Sequence, residues 1–237
     1  MNQETLPLVS VIMIVRNGER FLAEALRSVV AQDYRPLEII VVDGKSVDQT
    51  AQIAQSFAEV RYLYQETLGV ANAYNQGVKA ARGEFIAFLA HDDLWAPSKL
   101  SKQVQYLLEH PEIAYTIVKA KFFLEPGCAF PPGMHKDLLD SERAIRMMEA
   151  LLLRKQVFDQ VGYFDPAFSP ADDMDWLARV QDARIPMGLV PEVLLFKRIH
   201  DANTSINSPE NTQRVLAALR HSVNRKRLLE QTRDQHE

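Results

Sequence analysis

Apolar residues in this chain fall in short blocks separated by amphipathic stretches. Residues 8–15 (LVSVIMIV) form a β-branched apolar run that Arg16-Asn17-Gly18 breaks. Residues 19–32 then place Phe21, Leu22, Ala25, Leu26, Val29 and Val30 at helical spacing. A second apolar run, 37–42 (LEIIVV), stops at Asp43-Gly44. The next stretch, 47–58, predicts a helix with Ser46 or Asp48 as its N-cap. A shorter strand is expected over 60–64, and a helix over 69–81 that Arg82-Gly83 ends with glycine in the usual C-terminal position. A fourth strand is expected over 84–89, and Pro97 opens a helix that closes near His110-Pro111. Strands without polar alternation are buried on both faces, and their regular exchange with helices predicts an α/β fold with a parallel sheet.

The second half is less periodic. Helices are expected over 145–158 and 173–183, the latter with Trp176, Leu177 and Val180 on one face, and an extended segment over 187–198. Gly162-Tyr163-Phe164-Asp165-Pro166 reads as a turn. Between 125 and 137, three prolines and two glycines mark a loop, expected near the site. A final helix is predicted over 208–231, with Val215, Leu216, Leu219, Val223 and Leu228 as its apolar stripe, and it also carries Arg214, Arg220, Arg225, Lys226 and Arg227. Such a helix packs by its apolar stripe, or lies peripherally on an anionic membrane.

Composition narrows the classes. The 237 residues suffice for one large α/β domain, or a domain with a small appendage. A net charge of -4 gives no electrostatic case for nucleic acid as a partner. Cys128 is the one cysteine, which rules out an internal disulfide and fits a reducing compartment. No apolar run approaches the roughly 18 residues of a membrane span, and Met1-Asn2-Gln3-Glu4-Thr5 lacks the character of a signal peptide. A cytoplasmic protein is expected.

Candidate chemistry gathers where apolar runs end. Phe85-Ile86-Ala87-Phe88-Leu89 leads into Ala90-His91-Asp92-Asp93. In open α/β sheets ligands bind beyond the carboxyl ends of the strands, so carboxylates there are placed to hold a hard cation and its phosphates. Asp43 ends another strand, Asp172-Asp173-Met174-Asp175 begins a helix, and His200 follows the last extended segment. Crowding raises carboxyl pKa values, so Asp173 is a candidate general base, although acids at a helix start also serve the dipole alone. The Gly-x-Gly-x-x-Gly, P-loop and Gly-x-Ser-x-Gly patterns are absent from the sequence.

In order and spacing, these segments resemble the family 2 glycosyltransferases of GT-A fold. Val9-Ser10-Val11-Ile12-Met13 with Asn17 is similar to the family's opening strand, and Val41-Val42-Asp43-Gly44-Lys45-Ser46-Val47-Asp48-Gln49-Thr50 to its VVDxxSxDxT segment. Gly69 through Gly77 and Ala81-Arg82-Gly83-Glu84 resemble the helix leading to the metal strand. Ala90-His91-Asp92-Asp93 occupies the DxD position. Gly162-Tyr163-Phe164-Asp165, Asp172-Asp173-Met174-Asp175-Trp176 and Arg198-Ile199-His200-Asp201-Ala202-Asn203-Thr204-Ser205 follow in the expected order.

The resemblance implies a Rossmann-like, mostly parallel sheet flanked by helices over 1–206, with a C-terminal helical extension over 207–237. It also implies inverting transfer from a nucleotide-diphosphate sugar, most readily a UDP-sugar, to a glycan, lipid-linked or small-molecule acceptor. Asp43, Asp92, Arg198 and Asn72 would contact the donor. Asp93 and His200 would hold Mn2+ or Mg2+ on the diphosphate, and Asp173 would deprotonate the acceptor. Ala90 stands where the DxD pattern has its first acid, and Gly44 where many members carry a second acid. These departures define the rival reading, a non-catalytic nucleotide-sugar-binding protein with a degenerate metal site. A nucleotidyltransferase is a further rival, but the Gly-rich basic loop it needs after the first strand is missing.

Overall fold

The computed structural model describes residues 6–131, 135–169 and 171–203, and residues 220, 221 and 223. Four strands build its first half: β1 (Val9–Val15), β2 (Leu37–Asp43), β3 (Val60–Tyr64) and β4 (Phe85–Phe88). They lie parallel in the order β3-β2-β1-β4. The helices α1 (Leu22–Val30), α2 (Thr50–Gln55) and α3 (Val70–Ala80) connect them. Residues of β1, β2 and β4 are buried almost without interruption, which is why their sequences show no polar alternation. Helix α1 turns Leu22, Ala25, Leu26 and Val29 inward, and α3 turns Ala71, Ala73, Gly77 and Val78.

The second half contains β5 (Leu94–Trp95), α4 (Lys99–Glu109), β6 (Tyr115–Leu124), α5 (Asp137–Asp140), β7 (Glu142–Ala144), β8 (Leu152–Arg154), α6 (Val157–Val161), α7 (Asp172–Asp182) and β9 (Met187–Ile199). Among the described residues one sheet runs β3-β2-β1-β4-β8-β6-β9-β5, with β7 beside β6. Strand β8 is antiparallel to both β4 and β6, whereas β6 and β9 pair in parallel along all of β6. Parallel registers align most of the paired residues, and the architecture is the expected α/β one. No helix among the described residues is long and apolar enough to cross a membrane.

Two expectations are corrected and one strand is added. Residues 145–158 are not a helix: a 3-10 turn at Met148–Ala150 leads into β8, and α6 starts only at Val157. Ala150 through Leu153 are buried, so pairing between β4 and β6 overrides the helical propensity of Met, Ala and Leu. Strand β6 carries no element in the sequence pattern. Its residues Tyr115 through Val118 are all buried, so the two-residue alternation by which a half-exposed strand is recognised is missing, and the register shifts against β9 come from extra residues in β9. Gly83 does not cap α3, since the helix ends at Ala80 with Ala81 extended. A Cβ at Gly83 would instead lie 2.6 Å from Ser10 Oγ and 2.7 Å from the Leu8 carbonyl, so glycine permits close approach to β1.

The expected helix over 208–231 and the boundary at 206/207 lie outside the described residues, apart from helical 220, 221 and 223.

Candidate active site

The carboxyl ends of β1, β2 and β4 open on one crevice. The loop after β1 is clasped to the loop after β2: Asn17 N–H donates to Ser46 Oγ (2.8 Å), Gly18 N–H to Thr50 Oγ1 (2.8 Å) and Glu19 N–H to an Asp48 oxygen (3.1 Å). Val47 N–H returns a bond to Asn17 Oδ1 (3.0 Å). Ser46, Asp48 and Thr50 therefore hold the rim of the crevice, and neither Ser46 nor Asp48 is the N-cap residue of α2. Asp48 does accept from Thr50 N–H (3.0 Å), which covers one free donor of the first turn.

Asp43 is buried at the end of β2 and accepts from Ser46 N–H (2.9 Å) and the Tyr62 hydroxyl (2.7 Å). Asn72, half-buried in the first turn of α3, donates to the Leu68 carbonyl (3.0 Å).

After β4 the two adjacent carboxylates part company. Asp92 Oδ2 meets His200 Nε2 at 3.0 Å and Asn203 Nδ2 at 3.3 Å. His200 Nδ1 accepts from Ala202 N–H (3.2 Å), which assigns the ring proton to Nε2 and directs it at Asp92. Burial opposes the charge of Asp92, but His91, Lys197 and His200 outweigh it and hold this carboxyl below its ordinary value.

Asp93, only 1% exposed, instead takes Lys197 Nζ at 2.6 Å and Arg198 N–H at 3.0 Å. Lys197 also lies 3.5 Å from Glu149. Burial works against the Lys197 ammonium, yet Asp93 and Glu149 raise it above the usual lysine range, so it stays charged. Burial, then Glu149 and Asp92, push the Asp93 carboxyl up to about 7 against the pull of Lys197. The Arg198 guanidinium is directed at Glu24 (2.6 Å), Glu125 and the Asp92 carbonyl (2.9 Å), stacked between Phe21 and Phe123.

Helix α7 lies beside this cluster, close enough that Glu149 and Lys197 act on its Asp173. Its start is fixed by an aromatic bracket, in which Trp176 stacks on Phe164 (5.4 Å between centroids) and donates to the Gly162 carbonyl (2.9 Å). Asn75 of α3 bonds both the N–H (2.9 Å) and the carbonyl (2.8 Å) of Phe164. The Gly162-Tyr163-Phe164-Asp165 turn thus ties α7 to α3, which accounts for its place in the sequence pattern. Asp173, second residue of α7, accepts from Met174 N–H (2.8 Å). Burial pushes its carboxyl up to about 6, overriding what the helix N-terminus contributes in the other direction. Asp172 is completely buried with neither oxygen hydrogen-bonded among the described residues, and burial pushes it up to about 7.

The structure therefore gathers Asp92, Asp93, Arg198 and His200 at one point and places Asp173 on the neighbouring helix. It sets Asp92, not Asp93, against His200. Among the described residues no group of three or more His, Cys, Asp or Glu is arranged to hold a metal ion. Asp92 and His200 supply one carboxylate and one imidazole, a donor pair that fits Mn2+ or Mg2+ when diphosphate oxygens complete the shell.

A parallel sheet with carboxylates at the ends of β2 and β4, with an acidic helix start beside them, is the arrangement that comparison with known proteins resolves. The glycosyl transferase family 2 model matches residues 10–162. The chain belongs to glycosyl transferase family 2. An uncharacterised glycosyltransferase of Rickettsia typhi is 32% identical over 231 residues, covering 89% of this chain and 71% of that protein. One from Rickettsia conorii is 32% identical over 213 residues but is spanned by this chain over only 35% of its length. The fold matches that of S. aureus TarS in complex with UDP-GlcNAc, with TM-score 0.73 and 19% identity, over 90% of this chain and 65% of that one. It also matches the Pyrobaculum calidifontis mannosyltransferase in complex with GDP-Man and Mn2+, with TM-score 0.72 and 20% identity, over 93% and 65%. This family 2 glycosyltransferase chain thus spans just under two thirds of those two solved chains.

Sequence reasoning missed Lys197 and Glu149. Lys197 carried a signal, a cation at the end of an extended apolar segment. Glu149 carried none, because its segment read as a helix.

Proposed function

We propose that the chain transfers a sugar from a nucleotide-diphosphate sugar to an acceptor hydroxyl with inversion. The observation that carries the reading is the Asp92–His200 pair beside the Lys197–Asp93 ion pair, with Asp173 close enough for Glu149 and Lys197 to act on it and its carboxyl raised toward neutrality. A base must be ionised at working pH yet basic enough to take a proton, and a value of about 6 meets both needs. Solved relatives in fold that carry UDP, UDP-GlcNAc or GDP-Man support a donor of this class.

Asp43 at the end of β2, with Asn72 beside the same mouth, receives the nucleoside. A UDP-sugar is the favoured donor. Asp92 would be the metal carboxylate, and His200 would join it through Nε2 in the tautomer that carries the ring proton on Nδ1, giving up the bond from Ala202 N–H. A bound divalent ion neutralises charge on the departing diphosphate. Asp93, held by Lys197 and the Arg198 N–H, fixes the turn that presents Asp92, and Arg198 anchors that turn through the Asp92 carbonyl. Asp173 removes the acceptor proton as the hydroxyl attacks the anomeric carbon opposite the leaving group. Water is the default competitor, so a well-placed acceptor and a closed crevice favour transfer over hydrolysis.

The test is calorimetric titration of UDP and GDP, and of their sugars, with and without Mn2+, followed by donor turnover. Metal-strengthened binding with turnover that Asp173→Asn removes supports the transferase. Binding with no turnover in any donor, unaltered by Asp173→Asn, supports the non-catalytic alternative.

A further inference from the structure

Tyr74 lies in α3 between the two halves of the proposed site, and nothing so far has given it a role. Its ring stacks on Phe164 (4.8 Å, 27°) and meets the edge of Phe88 (5.3 Å, 89°). Phe88 closes β4 just before the Asp92 turn, and Phe164 belongs to the bracket that fixes α7. The ring is thereby locked from the diphosphate side and from the base side. Its hydroxyl makes no hydrogen bond among the described residues, although the residue is half-buried. Burial holds the phenol far above its ordinary value, and Glu149, Asp173, Asp172 and Asp92 add to the effect in that order. The phenol therefore stays protonated and able to donate, and carboxylates of three separate segments lie near enough to act on it. Glu149 is largely buried, and its named partner, Lys197, is at the long distance of 3.5 Å.

We infer that the Tyr74 hydroxyl and the Glu149 carboxylate grip hydroxyl groups of the donor sugar and so help to set which sugar is accepted. This rests on the transferase reading. In an in-line displacement the sugar must lie between the leaving diphosphate and the base, hence between Asp92 and Asp173. Tyr74 and Glu149 neighbour both ends of that interval. A fixed phenol donor beside a carboxylate acceptor suits a polyhydroxylated ring, whose hydroxyls accept from one and donate to the other.

The experiment compares the affinity of wild type, Tyr74→Phe and Glu149→Gln for UDP and for UDP-GlcNAc, UDP-glucose and UDP-galactose, and for GDP and GDP-mannose. Phe keeps both ring contacts and removes only the hydroxyl. The expected result is a loss of about fivefold for the preferred nucleotide-sugar in Tyr74→Phe, and of about tenfold or more in Glu149→Gln. Affinity for the bare nucleoside diphosphate should stay within about twofold in both, which a structural role would not permit. Equal losses for sugar and bare diphosphate, or no loss for either, overturn the inference. An unchanged donor ratio with a raised acceptor KM also overturns it, assigning these groups to the acceptor. A wild-type chain that binds no nucleotide or nucleotide-sugar overturns the transferase reading itself, and this inference with it.

Discussion

Asp173 and Asp172 are neighbours in one helix turn with opposite prospects. Asp173 is half-buried and accepts from Met174 N–H, whereas Asp172 is fully buried with neither oxygen partnered among the described residues. In Asp173→Asn we expect donor affinity to be nearly unchanged and kcat to fall by about two orders of magnitude or more, read from calorimetry and steady-state rates. Because the base acts only when ionised, log(kcat/KM) should fall with unit slope as pH drops below about 6. Asp172 affects stability with its own sign. Its carboxyl is raised from near 4 in the unfolded chain to about 7, so the protonated form favours the fold. That contribution is present at low pH and is lost as pH rises through about 7, on the order of 2–4 kcal/mol. Asp172→Asn should therefore flatten the stability-versus-pH curve between about 4 and 7, as denaturant titrations at several pH values would show. An unflattened curve would assign the titration elsewhere.

At the scale of elements, the site depends on how closely α3 lies on β1 and β2. A Cβ at Gly77 would come within 2.4 Å of Ile12 Cγ2 and 3.5 Å of Val42 Cγ2. Gly77→Ala gains roughly 1 kcal/mol of helix propensity, but overpacking against a rigid strand costs about 1–3 kcal/mol. Overpacking should win, and a lower Tm is the expected readout. The same helix carries Asn75, whose two bonds hold the Phe164 turn. Asn75→Ala leaves a backbone N–H and a carbonyl without partners at about 1–3 kcal/mol, and should lower kcat more than it raises donor Kd, since it loosens the base helix and not the nucleotide end. These elements also show what pattern reading can reach. The β1–β4 half was legible because each strand is buried on both faces and each helix shows one apolar stripe. The stretch from β6 to β8 was not, because the buried first part of β6 shows no alternation and a short, mostly buried β8 has the composition of a helix.

At the scale of the whole molecule, the end of β9 and His200 just after it are brought onto the β4 turn. Lys197, Arg198 and His200 meet Asp92 and Asp93 over more than a hundred residues of sequence. A nucleotide-sugar that bridges the β4 turn and α7 should stabilise this closure by mass action. At about one hundred times Kd the gain is near 2.7 kcal/mol, enough to raise Tm by roughly 5–10 °C. With Asp92→Asn, the part of this shift that depends on Mn2+ should disappear while the metal-free part remains. A variant whose shift still responds fully to Mn2+ would exclude Asp92 as the metal carboxylate.

The sequence by itself determined the alternation of strands and helices and the positions of the carboxylates at the strand ends. Both are local consequences of burial on a parallel sheet, and they leave a periodic trace. Which carboxylate meets which cation was decided only by the fold. Adjacent residues such as Asp92 and Asp93 have the same chemistry on paper, and a turn sends them in different directions. One meets His200 and the other Lys197, because β9 arrives alongside β6 in a register that no local pattern records. Tertiary packing also decided which of two adjacent aspartates in α7 is fully buried and which stays half-buried.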